Sequence, residues 1–208
     1  MRTLAIGVIA FAIGAQQPLP RPFPRPGVVK MLENARVVVW NISWPKGEPT
    51  AMHRHVYDLV GSYYTSGDRV ITETDGTKRN VTNKAGEITF RQRGLTHIEE
   101  GISDTPLRAV FIELKEDGPR ASTTQASDGL PLFRDSGATQ LMDNSRATVW
   151  SYQRKPGTGL VRNHRHDRDA VTVWIVDGTP HAAFVAAGTV HTEEQLGVAS
   201  TATVYEIK

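Results

Sequence analysis

Residues 26–42, PGVVKMLENARVVVWNI, align without a gap to residues 136–152, SGATQLMDNSRATVWSY, pairing Asn34 with Asn144, Arg36 with Arg146 and Trp40 with Trp150. Self-similarity of this kind means that one structural unit is used twice, and it outranks any local propensity in deciding the fold. The correspondence continues along the chain. PKG at Pro45 matches KPG at Lys155, His53 and His55 fall on His164 and His166, and GLTHIEE from Gly94 matches GTVHTEE from Gly188. AVFIELK, ending at Lys115, closes the first copy as ATVYEIK, ending at Lys208, closes the second. Two units are therefore expected, at 23–115 and 133–208, joined at 116–132 by a Gly-, Ser-, Thr- and Pro-containing surface linker.

Each unit is strand-rich. RVVVW, YDLVGSYY, RVITET, EITFRQR and RAVFIEL combine β-branched and aromatic residues with partial alternation, and SGD, TDGT and NKAG separate them as turn signals. No window carries a helical period, so an all-β chain with an antiparallel barrel or sandwich in each half is expected. The 208 residues, 39% of them hydrophobic, suffice for a buried core. The 24 basic and 22 acidic residues are spread without runs or stripes, which argues against a nucleic-acid partner.

The chain begins MRTLAIGVIAFAIGA, an early Arg followed by an apolar run that ends at a small residue before Gln16. Residues 1–15 read as a secretory signal peptide, because the run is shorter than the roughly 20 apolar residues that a membrane span needs. Residues 16–22 open a Pro-rich stretch expected to be an extended tether. No other segment is apolar enough to span, and there is no cysteine. A periplasmic or secreted protein without a membrane span after cleavage is expected.

Six of the seven histidines occupy matched positions: His53, His55 and His97 in the first copy, His164, His166 and His191 in the second. Residues i and i+2 of a strand share a face, so each His-x-His pair can point both rings inward, where one histidine from a neighbouring strand completes a set of three. Neutral imidazoles in such a set suit a divalent transition metal, with open positions left for another ligand. The competing reading is hydrogen-bonded surface or core histidines.

On these residues the chain resembles the cupin superfamily, and specifically a two-domain bicupin. Gly47, His53, His55 and Gly67 stand at the spacing of the first cupin motif, with Val60 at the position of its glutamate. Gly86, Gly94 and His97 stand at the spacing of the second, with Gln92 in place of its proline. In the second copy His164, His166, Gly178, Gly188 and His191 match, Val171 again replaces the glutamate, and Pro180 stands where a glycine is expected. The resemblance implies two tandem RmlC-like jelly-roll (double-stranded β-helix) barrels, each able to hold Fe, Zn, Mn, Ni or Cu. The residues between the motifs shrink from 68–85 in the first copy to Thr179 alone in the second, so the second barrel is expected to be shorter by about a hairpin, and its site could be vestigial.

With valine at both glutamate positions, Asp58 and Asp169, three residues beyond each His-x-His pair, are candidates for a substitute ligand or for a role behind the ligands; simple alternation would turn them away from the site. Arg91 and Arg93 lead to His97, and either could receive a substrate carboxylate or belong to a solvated strand face. Tyr57, Tyr63 and Tyr64 read as packing residues. A dication held by three neutral imidazoles is strongly electrophilic and should favour a small anionic carbonyl or carboxylate ligand. The expected functions are a metal-dependent dioxygenase, lyase or isomerase, or a non-catalytic small-ligand or metal-binding module; pairing into a homodimer through sheet edges is a further expectation.

Overall fold

A computed structural model describes residues 18–116, 130, 132–133, 138–153, 163–192 and 201–208. The signal peptide expected at 1–15 and most of the linker expected at 116–132 lie outside them. Among the described residues there is no α-helix, and none therefore that is long and apolar enough to cross a membrane.

In the first copy, β1 (Val28–Glu33), β2 (Val37–Trp44), β9 (Leu107–Leu114), β4 (Asp58–Tyr63) and β7 (Ile88–Arg91) form a five-stranded antiparallel sheet in the order β1-β2-β9-β4-β7. Facing it is a four-stranded sheet of β3 (His53–Arg54), β8 (Thr96–Gly101), β5 (Gly67–Glu73) and β6 (Lys78–Asn83), in the order β3-β8-β5-β6. In the second copy, β10 (Thr139–Asp143), β11 (Ala147–Gln153), β14 (Thr201–Ile207), β12 (Asp169–Val176) and β13 (Thr179–Val185) repeat the order of the first sheet strand for strand. Even the irregularity is copied: the β1/β2 register shifts between Lys30 and Leu32, and the β10/β11 register shifts between Gln140 and Met142. A bulge that recurs in both copies is a built feature of the unit.

The second copy is shortened where the sequence predicts. The chain passes directly from β12 to β13 through Asp177 and Gly178, both at positive φ, in a two-residue hairpin whose twist matches its strands. No counterpart of β5 and β6 exists among the described residues, and what corresponds to the four-stranded sheet is the single bridge between His164 and His191.

The five-stranded sheets explain why the sequence alternates only in part. On β2, Val38, Trp40, Ile42 and Trp44 face the four-stranded sheet together with Leu59, Tyr63, Leu107, Ala109 and Phe111. Val37 and Val39 face the other way and join Val60, Val110, Ile112 and Leu114 in one core with Ala147, Val149, Val171, Val173, Tyr205 and Ile207 of the second copy. Both faces of the sheet are buried, so RVVVW has no solvent side to make polar. Two reciprocal ion pairs, Arg36 with Asp169 and Arg146 with Asp58, and the hydrogen bond from the Tyr205 hydroxyl to Ser62 join the copies around this core. A homodimer would have to use another surface, because this face is filled within the chain.

The Pro-rich arm, from Pro18, is laid against the first unit. Arg54 donates its N–H to the Pro20 carbonyl at 3.0 Å, Arg21 lies over the Tyr57 ring, and Phe23 is buried with its ring 5.3 Å from that of Trp40. In the second copy the bond to the equivalent arginine runs the other way: Phe133, which aligns with Phe23, donates its N–H to the carbonyl of Arg165 at 2.9 Å. In each unit the chain before the first strand thus runs beside the His-x-His segment and buries a phenylalanine.

Candidate metal centres

The first centre is assembled by strand pairing. β3 sets His53 opposite His97 and Arg54 opposite Thr96, and beyond β3 the His55 N–H donates to Leu95 O at 2.9 Å. Alternation turns Arg54 out and buries His53, His55 and His97. Their ring centroids stand 4.9 to 5.2 Å apart, steeply inclined to one another, and one nitrogen of each lies within 4.8 Å of the other two. His55 Nε2 and His97 Nε2 are 3.3 Å apart, within the roughly 3.0–3.4 Å expected of two imidazoles bound to one ion at about 2.0–2.1 Å.

The tautomers suit an ion as well. His53 Nδ1 lies 3.0 Å from the Ala51 carbonyl, which requires the proton on Nδ1 and leaves Nε2 bare; that atom is buried and has no protein partner. Burial lowers His55 to about 4 despite the opposing field of Glu99, and burial likewise lowers His97. Both are therefore neutral at physiological pH, the form that ligates.

Behind the ligands is a polar wall that the sequence reading missed. Glu99 follows His97 by two residues on β8 and so shares its face; Oε1 lies 3.8 Å from His97 Nε2 and is ion-paired with Arg69, while Trp44 Nε1 donates to Oε2 at 2.9 Å. Arg69 also donates to Asn83 and to the Tyr63 hydroxyl, and its guanidinium lies over the Trp44 ring. Burial pushes the Glu99 carboxyl up, but Arg69 and the nearby histidines outweigh it and hold the group at about 2. Burial raises the Tyr63 hydroxyl to about 12. The period-2 spacing of His97 and Glu99 was a usable signal. Nothing local marks Arg69, whose strand reads as any other.

The remaining expectations separate. Arg91 pairs with Leu59, which faces the interior, so Arg91 faces it too, near enough to His55 to help lower it. Arg93 is exposed and pairs with Glu116 at 2.7 Å. Tyr63 belongs to the polar wall, Tyr64 donates to Asn41, and Tyr57 lies under Arg21. Asp58 and Asp169 stand outside both histidine groups, engaged in the ion pairs between the copies. Val60 and Val171, aligned with the family's glutamate, point into the shared core; the interior-facing neighbours are Leu59 and Ala170. Either way no carboxylate enters from that strand.

The second centre groups His164, His166 and His191, with His164 and His191 joined by a pair of backbone hydrogen bonds. His166 Nδ1 lies 3.1 Å from Glu206 Oε1, which holds the proton there and turns Nε2, buried and without a protein partner, toward the group. Burial lowers His166, against the pull of Glu206. The Phe133 ring packs 4.9 Å from His166 and 5.5 Å from His164, and both histidines are fully buried.

No protein-family model and no curated protein matches the chain significantly. Among solved structures, AerE from Microcystis aeruginosa shares 10% identity over 92% of this chain and 98% of its own, with a TM-score of 0.58, a likeness of fold. A cupin 2 conserved barrel domain protein from Leptotrichia buccalis covers 89% of this chain and 91% of its own at 15% identity and a TM-score of 0.48. A cupin domain from Bordetella pertussis Tohama I is 30% identical over 45% of this chain and 98% of its own length, with a TM-score of 0.40. That identity runs through nearly the whole of the Bordetella domain, and this chain carries a matched set of three histidines in each of its two copies: it belongs to the cupin superfamily.

Proposed function

We propose that this chain is an exported tandem cupin whose first centre, His53, His55 and His97, holds one divalent transition metal and acts on a small anionic carbonyl or carboxylate compound. The observation that carries the reading is the convergence of three buried imidazoles, with His53 Nε2 bare and two further Nε2 atoms 3.3 Å apart. A bound ion there would supply Lewis acidity and, if redox-active, electrons to dioxygen, so dioxygenase, lyase and isomerase are the reaction classes that fit.

The chain's own groups favour an anion. Among the described residues no carboxylate belongs to the histidine group, Glu99 is already matched by Arg69, and Arg91 adds a positive charge on the interior face. Arg91, rather than the exposed Arg93, would receive a substrate carboxylate. The test is elemental analysis of protein purified without chelator, together with His53→Ala, His55→Ala and His97→Ala. About one equivalent of metal at the first centre, lost in each variant, is expected; full metal content in the variants sinks the reading. Oxygen uptake on a panel of carboxylates and dicarbonyls then separates the dioxygenase from the lyase and isomerase.

For the second centre a binding role without catalysis fits better, because Phe133 packs on two of its three rings. Export rests on residues 1–15 and is tested by sequencing the amino terminus of the secreted protein, expected to begin near Gln16.

A further inference from the structure

Asp58 and Asp169 lie outside both histidine groups, yet they occupy equivalent places in the two copies. Asp58 Oδ1 accepts the backbone N–H of Arg93 at 2.9 Å, and Asp169 Oδ1 accepts that of Ala187 at 3.0 Å. Arg93 and Ala187 immediately precede Gly94 and Gly188, whose N–H groups donate to the carbonyls of His55 at 2.7 Å and His166 at 2.8 Å. Three residues beyond each glycine comes the third histidine of the centre. Each aspartate thus anchors the turn that delivers that histidine.

The other oxygen of each aspartate is held from across the core. Asp58 Oδ2 lies 3.1 Å from Nε of Arg146, which belongs to the second unit, and Asp169 Oδ2 accepts from Nε of Arg36, which belongs to the first, at 2.9 Å. Glu116 stands between Arg93 and Arg146, at 2.7 Å and 3.6 Å, and Arg146 also donates to Leu114 O at 3.3 Å.

We propose that Arg146 and Arg36 are positioning residues for the metal centre of the opposite unit, acting through Asp58 and Asp169, so that each centre depends on the packing of the two units. This rests on the reading that the histidine groups bind metal. The same chain of contacts is built twice from aligned residues, and each path crosses the same interface in the opposite direction. Both aspartates reach the backbone of the turn before the third histidine with one oxygen and the opposite unit's arginine with the other. Groups behind metal ligands change affinity by about 10- to 100-fold, and these act one bond further away, so an effect of about 10-fold is expected. The Arg36–Asp169 pair is the more buried of the two, 8% and 6% exposed against 15% and 12%, so the second centre should be the more sensitive.

The test is competition for zinc against a chromophoric chelator, with one centre removed at a time. In His191→Ala protein, which keeps the first centre, Arg146→Gln and Asp58→Asn should each weaken zinc binding about 10-fold. Their combination should be no worse than Asp58→Asn alone, Arg146→Lys should recover most of the loss, and Arg36→Gln should leave this centre within about 2-fold of its parent. In His97→Ala protein, which keeps the second centre, the roles of Arg36 and Arg146 exchange. The paired variant Asp58→Asn/Arg146→Gln leaves no uncompensated charge and serves if a single variant fails to fold. Unchanged zinc affinity at the opposite centre, or equal losses at both, would overturn the proposal. If the parent His191→Ala protein binds no zinc, the metal reading itself has failed, which is a different result.

Discussion

Burial of the first centre should make the metal-free protein sensitive to mild acid. His55 titrates near 4 in the folded chain and near 6.5 when unfolded, so between those values the unfolded chain binds a proton that the folded chain refuses. Stability is unaffected above pH 6.5, falls as the pH drops from 6.5 toward 4, and levels off below 4 as far as this residue is concerned. The full loss is about 3 kcal/mol, and about 2 kcal/mol of it should appear between pH 7 and pH 5. Glu99 works in a separate window: its carboxyl, held at about 2, contributes stability that is lost as the pH falls from about 4.5 toward 2. Urea unfolding of chelator-treated protein at pH 7 and pH 5 reads the histidine effect, with His55→Gln as the control. The variant should lose about 2 kcal/mol less than its parent between the two pH values. If parent and variant run parallel, His55 is not held neutral by burial, and the ligand-ready state argued for this centre is wrong.

Three further outcomes are expected. Phe133→Ala should cost about 3 to 5 kcal/mol in urea unfolding and speed the loss of metal from the second centre to a chelator, since it removes the ring packed on His164 and His166. Gly94→Ala should cost about 1 to 2 kcal/mol and weaken zinc binding at the first centre; its φ of 89° suits glycine, and an added Cβ would meet nothing closer than 3.7 Å, so the cost is conformational rather than steric. Leu59→Glu should place a carboxylate on the interior face and alter the visible spectrum of the cobalt-loaded protein, whereas Val60→Glu, directed into the core between the units, should lower the melting temperature without that spectral change.

The repeat, the strand-rich pattern, the missing hairpin of the second copy and both histidine triads were legible in the chain, because each is a matter of spacing. Strand alternation needs only a period of two, and a copied motif carries its own alignment. The orientation of residues beside a bend was not legible. Val60 was aligned with a ligand position but points into the shared core, because the strand that carries it is buried on both faces and hydrophobic residues mark neither side as the interior. Arg69 reached the first centre from a strand with no distinguishing mark, since the partners that make it significant, Glu99, Asn83 and Tyr63, lie elsewhere in the chain. Asp58 and Asp169 illustrate the division most clearly: the sequence shows both three residues beyond a His-x-His pair, where alternation turns them from the site, and only the packing of one unit against the other decides that each carboxylate meets an arginine of the opposite copy. Local order in this protein is written in the spacing of residues along the chain, whereas the choice of partner for a buried charge depends on which surfaces the two copies press together.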